Sequence, residues 1–186
     1  VAKLYHIFEK MEVCYNACVT KPTQKHNFSI LLHDIRSVQN VASIFRLADC
    51  AGVREIILSG ITPGPLDRFG RERADFVKIS LGAEKLVVWK RVESGADFIK
   101  SWKSQNKDRI ALALEQDRKS VDYKAFANEI SLDKKYLIIP GREREGLEKE
   151  ILELCDVVCE IPQYGQKESL NIFSSLSIFL YRLFDK

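Results

Sequence analysis

Short runs of consecutive apolar residues alternate with amphipathic helical stretches along most of this chain, and that alternation limits the fold more than any other feature. The runs lie at 28–32, 55–58, 86–89, 110–114, 136–139 and 157–161. Ile-Ala-Leu-Ala-Leu at 110–114 and Tyr-Leu-Ile-Ile at 136–139 are apolar on successive residues, which suits strands covered on both faces. Helical periodicity occupies 41–51, 94–105, 147–154 and 169–184. Strand then helix, repeated, predicts an α/β fold with a mainly parallel sheet and helices on both faces. A further helix at 2–18 stands outside the pattern. We therefore expect an N-terminal helical extension over 1–25 and a single domain over 26–186, as a chain of 186 residues allows.

Composition excludes several classes. Hydrophobic residues make up 46% and charged residues 30%, as in ordinary globular proteins. No apolar run approaches the roughly 20 residues that cross a bilayer, so no membrane partner is expected. The amino end carries Lys3 and Glu9 within its apolar pattern and does not read as a signal peptide. Five cysteines, an odd number, fit reduced thiols in a cytoplasmic protein. The 29 basic and 26 acidic residues leave a net charge of +3, which permits an RNA partner without requiring one. Cys14/Cys18 and Cys155/Cys159 are spaced i,i+4, and His6, His26 and His33 lie near the amino end. Structural zinc favours CxxC knuckles instead, so no metal is expected. Lys100, Lys103 and Lys107 with Trp102 form a basic helix face that reads as solvated or as an RNA contact.

Three segments carry possible chemistry. In the first, 34–53, Asn40 stands where a helix N-cap belongs and Gly52 where the helix stops. Val41, Ile44, Phe45 and Ala48 share the buried face, and Arg46 sits about 100° round from Phe45. By itself this is a capped helix with an Arg46–Asp49 surface pair. In the second, Ile-Pro-Gly-Arg-Glu-Arg-Glu-Gly-Leu at 139–147, Gly141 and Gly146 suit a sharp turn or a close approach to a ligand. That loop leaves the carboxyl end of a strand, where open α/β sheets place ligands. It lacks the Gly-Lys-Ser/Thr of a P-loop. In the third, 160–181, Ser169 is the expected N-cap of a helix apolar on nearly every side, which needs a core or a partner chain. Asn171 at its start needs a hydrogen-bond partner or a ligand.

Taken together and in this order, Asn-Val-Ala-Ser-Ile-Phe-Arg (40–46), Gly-Arg-Glu-Arg-Glu-Gly-Leu (141–147) and Ile-Pro-Gln-Tyr-Gly-Gln-Lys-Glu-Ser-Leu-Asn (161–171) resemble the signature motifs of the SpoU (TrmH-like) RNA ribose methyltransferases of the SPOUT superfamily. The stretch 60–71 also resembles one bacterial subgroup. The resemblance implies a C-terminal trefoil knot, an exception to the rule against knots. It also implies a homodimer and S-adenosylmethionine as methyl donor, bordered by Leu114, Gly141, Ile161, Ser169 and Leu170. Asn40, Arg46, Glu143, Ser169 and Asn171 match the family's catalytic or site-shaping positions. The implied reaction is methylation of a ribose 2′-hydroxyl, of tRNA in preference to ribosomal RNA. Arg68, Arg71 and Arg73 would then contact phosphates. Arg142 and Phe173 are larger than the family pattern beside the expected donor pocket. They raise the alternative of an RNA-binding protein that has lost its donor.

Overall fold

Successive apolar residues of each central strand divide between the two faces of one sheet. The structure, a computed structural model, describes residues 26–131, 133–142 and 145–184. The leading helix expected over 1–25 lies outside them. The strands are β1 (Phe28–His33), β2 (Glu55–Ser59), β3 (Val88–Val92), β4 (Arg109–Leu114), β5 (Val121–Asp122), β6 (Lys135–Pro140) and β7 (Val157–Glu160). They form a sheet in the order β3-β2-β1-β6-β4-β7-β5, with every pairing parallel. The helices are α1 (Val38–Cys50), α2 (Ala74–Ser80), α3 (Ala83–Leu86), α4 (Gly95–Ser104), α5 (Tyr123–Glu129), α6 (Lys149–Leu154) and α7 (Ile172–Phe184).

Ile30, Leu32, Leu112, Tyr136 and Ile138 pack with α1, α2, α5 and α7 in one core. Leu31, Ile57, Ala111, Ala113, Leu137 and Ile139 pack with α4 and α6 in a second. The period of two along a strand produces this division, and burial on both faces accounts for the unbroken apolar runs. The expected α/β fold with a mainly parallel sheet is therefore the observed one. Among the described residues no helix is long and apolar enough to cross a membrane.

Some boundaries differ from expectation. The run 86–89 straddles the end of α3 and the start of β3, an edge strand that continues through exposed Lys90 and Arg91. An edge needs no buried alternation, so its pattern is weak. The helix predicted over 94–105 is α4, capped by Ser94, whose hydroxyl accepts from the Asp97 amide at 3.1 Å. Trp102 turns inward and is buried. Lys103 is bound to Asp156 at 2.6 Å and Lys100 lies 3.5 Å from Glu150. The basic face thus joins α4 to α6 and its far side, without an exposed aromatic.

Candidate active site

A pocket opens at the carboxyl ends of β4, β6 and β7, walled by 114–116, 140–142 and the returning segment 160–172. Leu114, Gly141, Ile161, Ser169 and Leu170 all line it. The loops hold one another through backbone. Gly141 donates to the Leu114 carbonyl at 3.1 Å and Glu115 to that of Cys159 at 2.9 Å. The Gln116 side chain reaches the Glu168 carbonyl at 2.8 Å. Leu114, Ile161, Leu170 and Ile172 give apolar walls, while Glu115 and Glu160 supply carboxylates. Such a lining suits a ligand with a flat apolar part and a cationic part.

Glu115, which sequence reasoning missed, braces Gly141, Gly146 and Leu147. Its carboxylate accepts from the Leu147 amide at 3.0 Å and from the Gln116 amide at 2.9 Å. A Cβ at position 141 would stand 2.1 Å from its Oε2 and would push the carboxylate off its bonds to the 116 and 147 amides. Arg142 also borders the pocket, but its guanidinium is taken up elsewhere. It donates to the Gly146 carbonyl at 2.8 Å and to Glu148 at 2.9 Å, and lies 3.8 Å from Asp34. His33, Asp34 and Glu148 bring ligand-type atoms within 4.8 Å of one another, and Arg142 supplies the positive charge there.

Both N-caps fall on different residues from those expected. Ser37, not Asn40, caps α1, its hydroxyl accepting from the Asn40 amide at 3.2 Å. Asn171, not Ser169, caps α7, accepting from the Phe173 amide at 2.9 Å and the Ser174 amide at 3.4 Å. The physical reason is a long-range bond. The Asn171 amide group donates to Asn40 Oδ1 at 3.0 Å, tying the first turn of α1 to the start of α7. Asn40 is spent on that contact, and Ser169 lies out on the pocket wall. At its other end α1 stops as expected. Gly52 (φ 62°) donates to Asp49 and Val53 to Ala48, closing the last turn.

Arg46 is exposed, about one and two-thirds turns along α1 from Asn40. Among the described residues it makes no ion pair with Asp49. It lines a groove with Leu47, Cys50, Ile79, Phe173 and Tyr181. Phe173 therefore stands beside Arg46 and not beside the pocket where it was expected to intrude. Glu143 lies outside the described residues. Burial pushes the Cys155 and Cys159 thiols up to about 12, so both are protonated and inert at neutral pH. The loop after β2 is a small hairpin, bridged between Leu66 and Glu72. There Arg71 is paired with Asp67 at 2.8 Å and Arg73 with Asp75 at 2.9 Å, leaving Arg68 without a carboxylate among the described residues. The three arginines are thus not three available cations.

A parallel sheet with a returning segment that builds a pocket against two strand-end loops, and an α7 bonded to α1, define a narrow class among the described residues. A model of the SpoU rRNA Methylase family matches residues 27–181, and the chain belongs to that family. An "Uncharacterized tRNA/rRNA methyltransferase" of Archaeoglobus fulgidus is 28% identical over 165 residues, covering 89% of this chain and 67% of that protein. The "tRNA (guanosine(18)-2'-O)-methyltransferase" of Escherichia coli is 25% identical, over 88% of this chain and 66% of its own length. The chain thus spans about two thirds of these relatives. Among solved structures, the AdoMet-bound rRNA methyltransferase of Sinorhizobium meliloti matches at a TM-score of 0.73 and 26% identity, over 89% of this chain and 59% of that one. The TrmH/SpoU tRNA modifying enzyme of A. aeolicus, 22% identical, shares the fold at a TM-score of 0.71, over 87% of this chain and 75% of that one.

Proposed function

We propose that this chain is a methyltransferase that uses S-adenosylmethionine to methylate a ribose 2′-hydroxyl of RNA, with tRNA preferred over ribosomal RNA. The observation that carries the reading is the convergence of Leu114, Gly141, Ile161, Ser169 and Leu170 on one pocket. The apolar walls fit an adenine ring and the nearby carboxylates fit the cationic end of the donor. With Arg142 held by Glu148 and Phe173 turned to the Arg46 groove, neither residue argues for the loss of donor binding.

The bound donor supplies an already activated methyl group. The protein's task is alignment, and holding two reactants in line is worth about 7–11 kcal/mol. The hydroxyl proton is the remaining obstacle. A guanidinium gives up its proton only far above neutral pH, which disfavours Arg46 as the base. Arg46 instead stays charged, grips a phosphate and stabilises the developing alkoxide, the proton leaving through phosphate or water. Asn40 and Asn171 fix the helix that carries it.

We further infer a homodimer. Its support is the α1/α7 groove together with Ile178 and Tyr181, which α7 leaves 40% and 51% exposed. The insertion of β6 between β1 and β4, and of β7 between β4 and β5, supports a knotted C-terminal half. The match beginning at residue 27 supports a separate extension over 1–25.

Calorimetric titration with S-adenosylmethionine, followed by single-turnover methylation of bulk tRNA and of ribosomal RNA, tests the reading. We expect saturable donor binding and incorporation into ribose of tRNA. No heat at millimolar donor returns the chain to the RNA-binding alternative, and incorporation into ribosomal RNA alone corrects the substrate.

A further inference from the structure

We propose that the tip of the hairpin after β2 is a stacking platform for an unpaired nucleobase of the RNA substrate, with Phe69 as its central ring. The inference rests on the RNA reading above and specifies how the substrate is held. Phe69 is 65% exposed. The guanidinium carbon of Arg68 lies 4.7 Å from its ring centroid and that of Arg71 lies 4.9 Å away. An aromatic ring flanked by two planar cations presents π-surface in layers, and bases stack on aromatic rings and on guanidinium planes alike.

The tip is built to hold that ring out. Asp67 Oδ1 accepts from the Phe69 amide at 2.8 Å and from the Arg71 amide at 3.0 Å. Its other oxygen takes Arg71 Nε at 2.8 Å. The Gly70 amide donates to the Asp67 carbonyl at 3.0 Å, with glycine at φ 76° as the turn requires. The Arg71 amide and guanidinium hold the Asp67 carboxyl below its usual range, so the staple persists across neutral pH. At the base of the loop Arg91 donates to the Gly60 and Thr62 carbonyls. A fixed, solvent-facing phenylalanine buries little within the fold beyond its two guanidinium contacts. Pre-organisation lowers the ordering cost of a partner instead.

The chemistry favours a base. Arg71 and Arg73 are occupied by Asp67 and Asp75, so the tip offers π-surface more than free charge. Arg68 has no carboxylate among the described residues and is the layer able to move aside for a base or reach its phosphate. In the adjoining groove Arg68 and Arg91 carry positive charge that no carboxylate among the described residues pairs, which suits a phosphate beside the stacked base. The hairpin leaves β2 at its carboxyl end. All strands are parallel, so it stands at the same end of the sheet as the donor pocket.

The test measures binding of bulk tRNA by the full chain across a salt series, for the parent, Phe69→Ala, Phe69→Trp and Arg68→Ala. Phe69→Ala should weaken binding about 5- to 150-fold, the range of one lost base stack, and leave the salt slope unchanged. Phe69→Trp should bind within about twofold of the parent, and tRNA should quench the added indole emission. Arg68→Ala should lower the salt slope by about one unit. Unchanged melting temperatures establish that the exposed substitutions leave the fold intact. Parent-like affinity in Phe69→Ala, or no restoration by Phe69→Trp, overturns the platform while leaving methylation by the parent standing. A parent that binds no RNA overturns both readings.

Discussion

Arg46 and Asn171 divide the work at the smallest scale. Arg46 projects from α1 into solvent beside Phe173 and holds no structural partner among the described residues, so its removal should cost stability no more than about 0.5 kcal/mol. Its proposed role needs both charge and a two-pronged geometry. Arg46→Lys and Arg46→Ala should therefore both lower single-turnover methylation by about 10²–10³-fold, with donor affinity unchanged. Near-normal turnover by Arg46→Ala would remove the residue from the chemistry. Asn171 does two things with one side chain, accepting from two amides of α7 and donating to Asn40. Asn171→Ala should lose about 1 kcal/mol in urea unfolding from the missing cap. Asn171→Ser should restore that stability but not methylation, because a hydroxyl is too short to span to Asn40. If serine rescues both, the bond between the asparagines has no functional part.

The elements around the pocket differ in what they bury, and the cysteines report it. Cys50, the last residue of α1, is exposed, whereas Cys155 just after α6 is half-buried and Cys159 within β7 is buried. Burial drives the latter two thiols to about 12, against about 8.5 in an unfolded chain. At pH 8 iodoacetamide should alkylate Cys50 in the native protein and reach Cys155 and Cys159 only after denaturation, as peptide mass mapping would record. Equal rates at all three would mean that β7 opens readily. The raised folded values have a definite sign for stability. Their contribution is complete below about pH 8.5 and declines as pH rises towards 12, because the unfolded thiols ionise first. Replacing both by alanine should flatten the alkaline fall in the urea midpoint.

At the scale of the whole molecule, α1, α2 and α7 share one face of the sheet and leave an apolar seam at Ile79, Phe173 and Tyr181. A second copy covering that seam would place the Arg46 groove at the subunit interface. Tyr181→Lys with Ile178→Asp should then yield a monomer by light scattering at micromolar concentration and a large loss of methylation, with the thermal transition still cooperative. A parent that is monomeric at that concentration sinks the dimer outright.

The local sequence determined the sheet. Runs such as Ile30-Leu31-Leu32 and Tyr136-Leu137-Ile138-Ile139 are apolar on both strand faces, which only a two-sided parallel layer can bury. It also determined the end of α1, since Gly52 takes the left-handed turn there without a Cβ penalty. The motifs at 40–46, 141–147 and 161–171 marked the pocket's neighbourhood through their resemblance to a family, whereas hydrophobic periodicity was silent about it. The tertiary structure decided the rest. Ser37 and Asn171 became the caps because Asn40 and Asn171, 131 residues apart, bond to each other, a contact no local pattern encodes. Glu115 came to accept from the Leu147 amide because β4 and β6 lie side by side. Arg142 and Phe173 looked obstructive in sequence; Arg142 still borders the pocket with its guanidinium held by Glu148, and Phe173 lines the Arg46 groove. Where a polar side chain spends its hydrogen bonds depends on which strands and helices become neighbours, and that is a property of the folded chain.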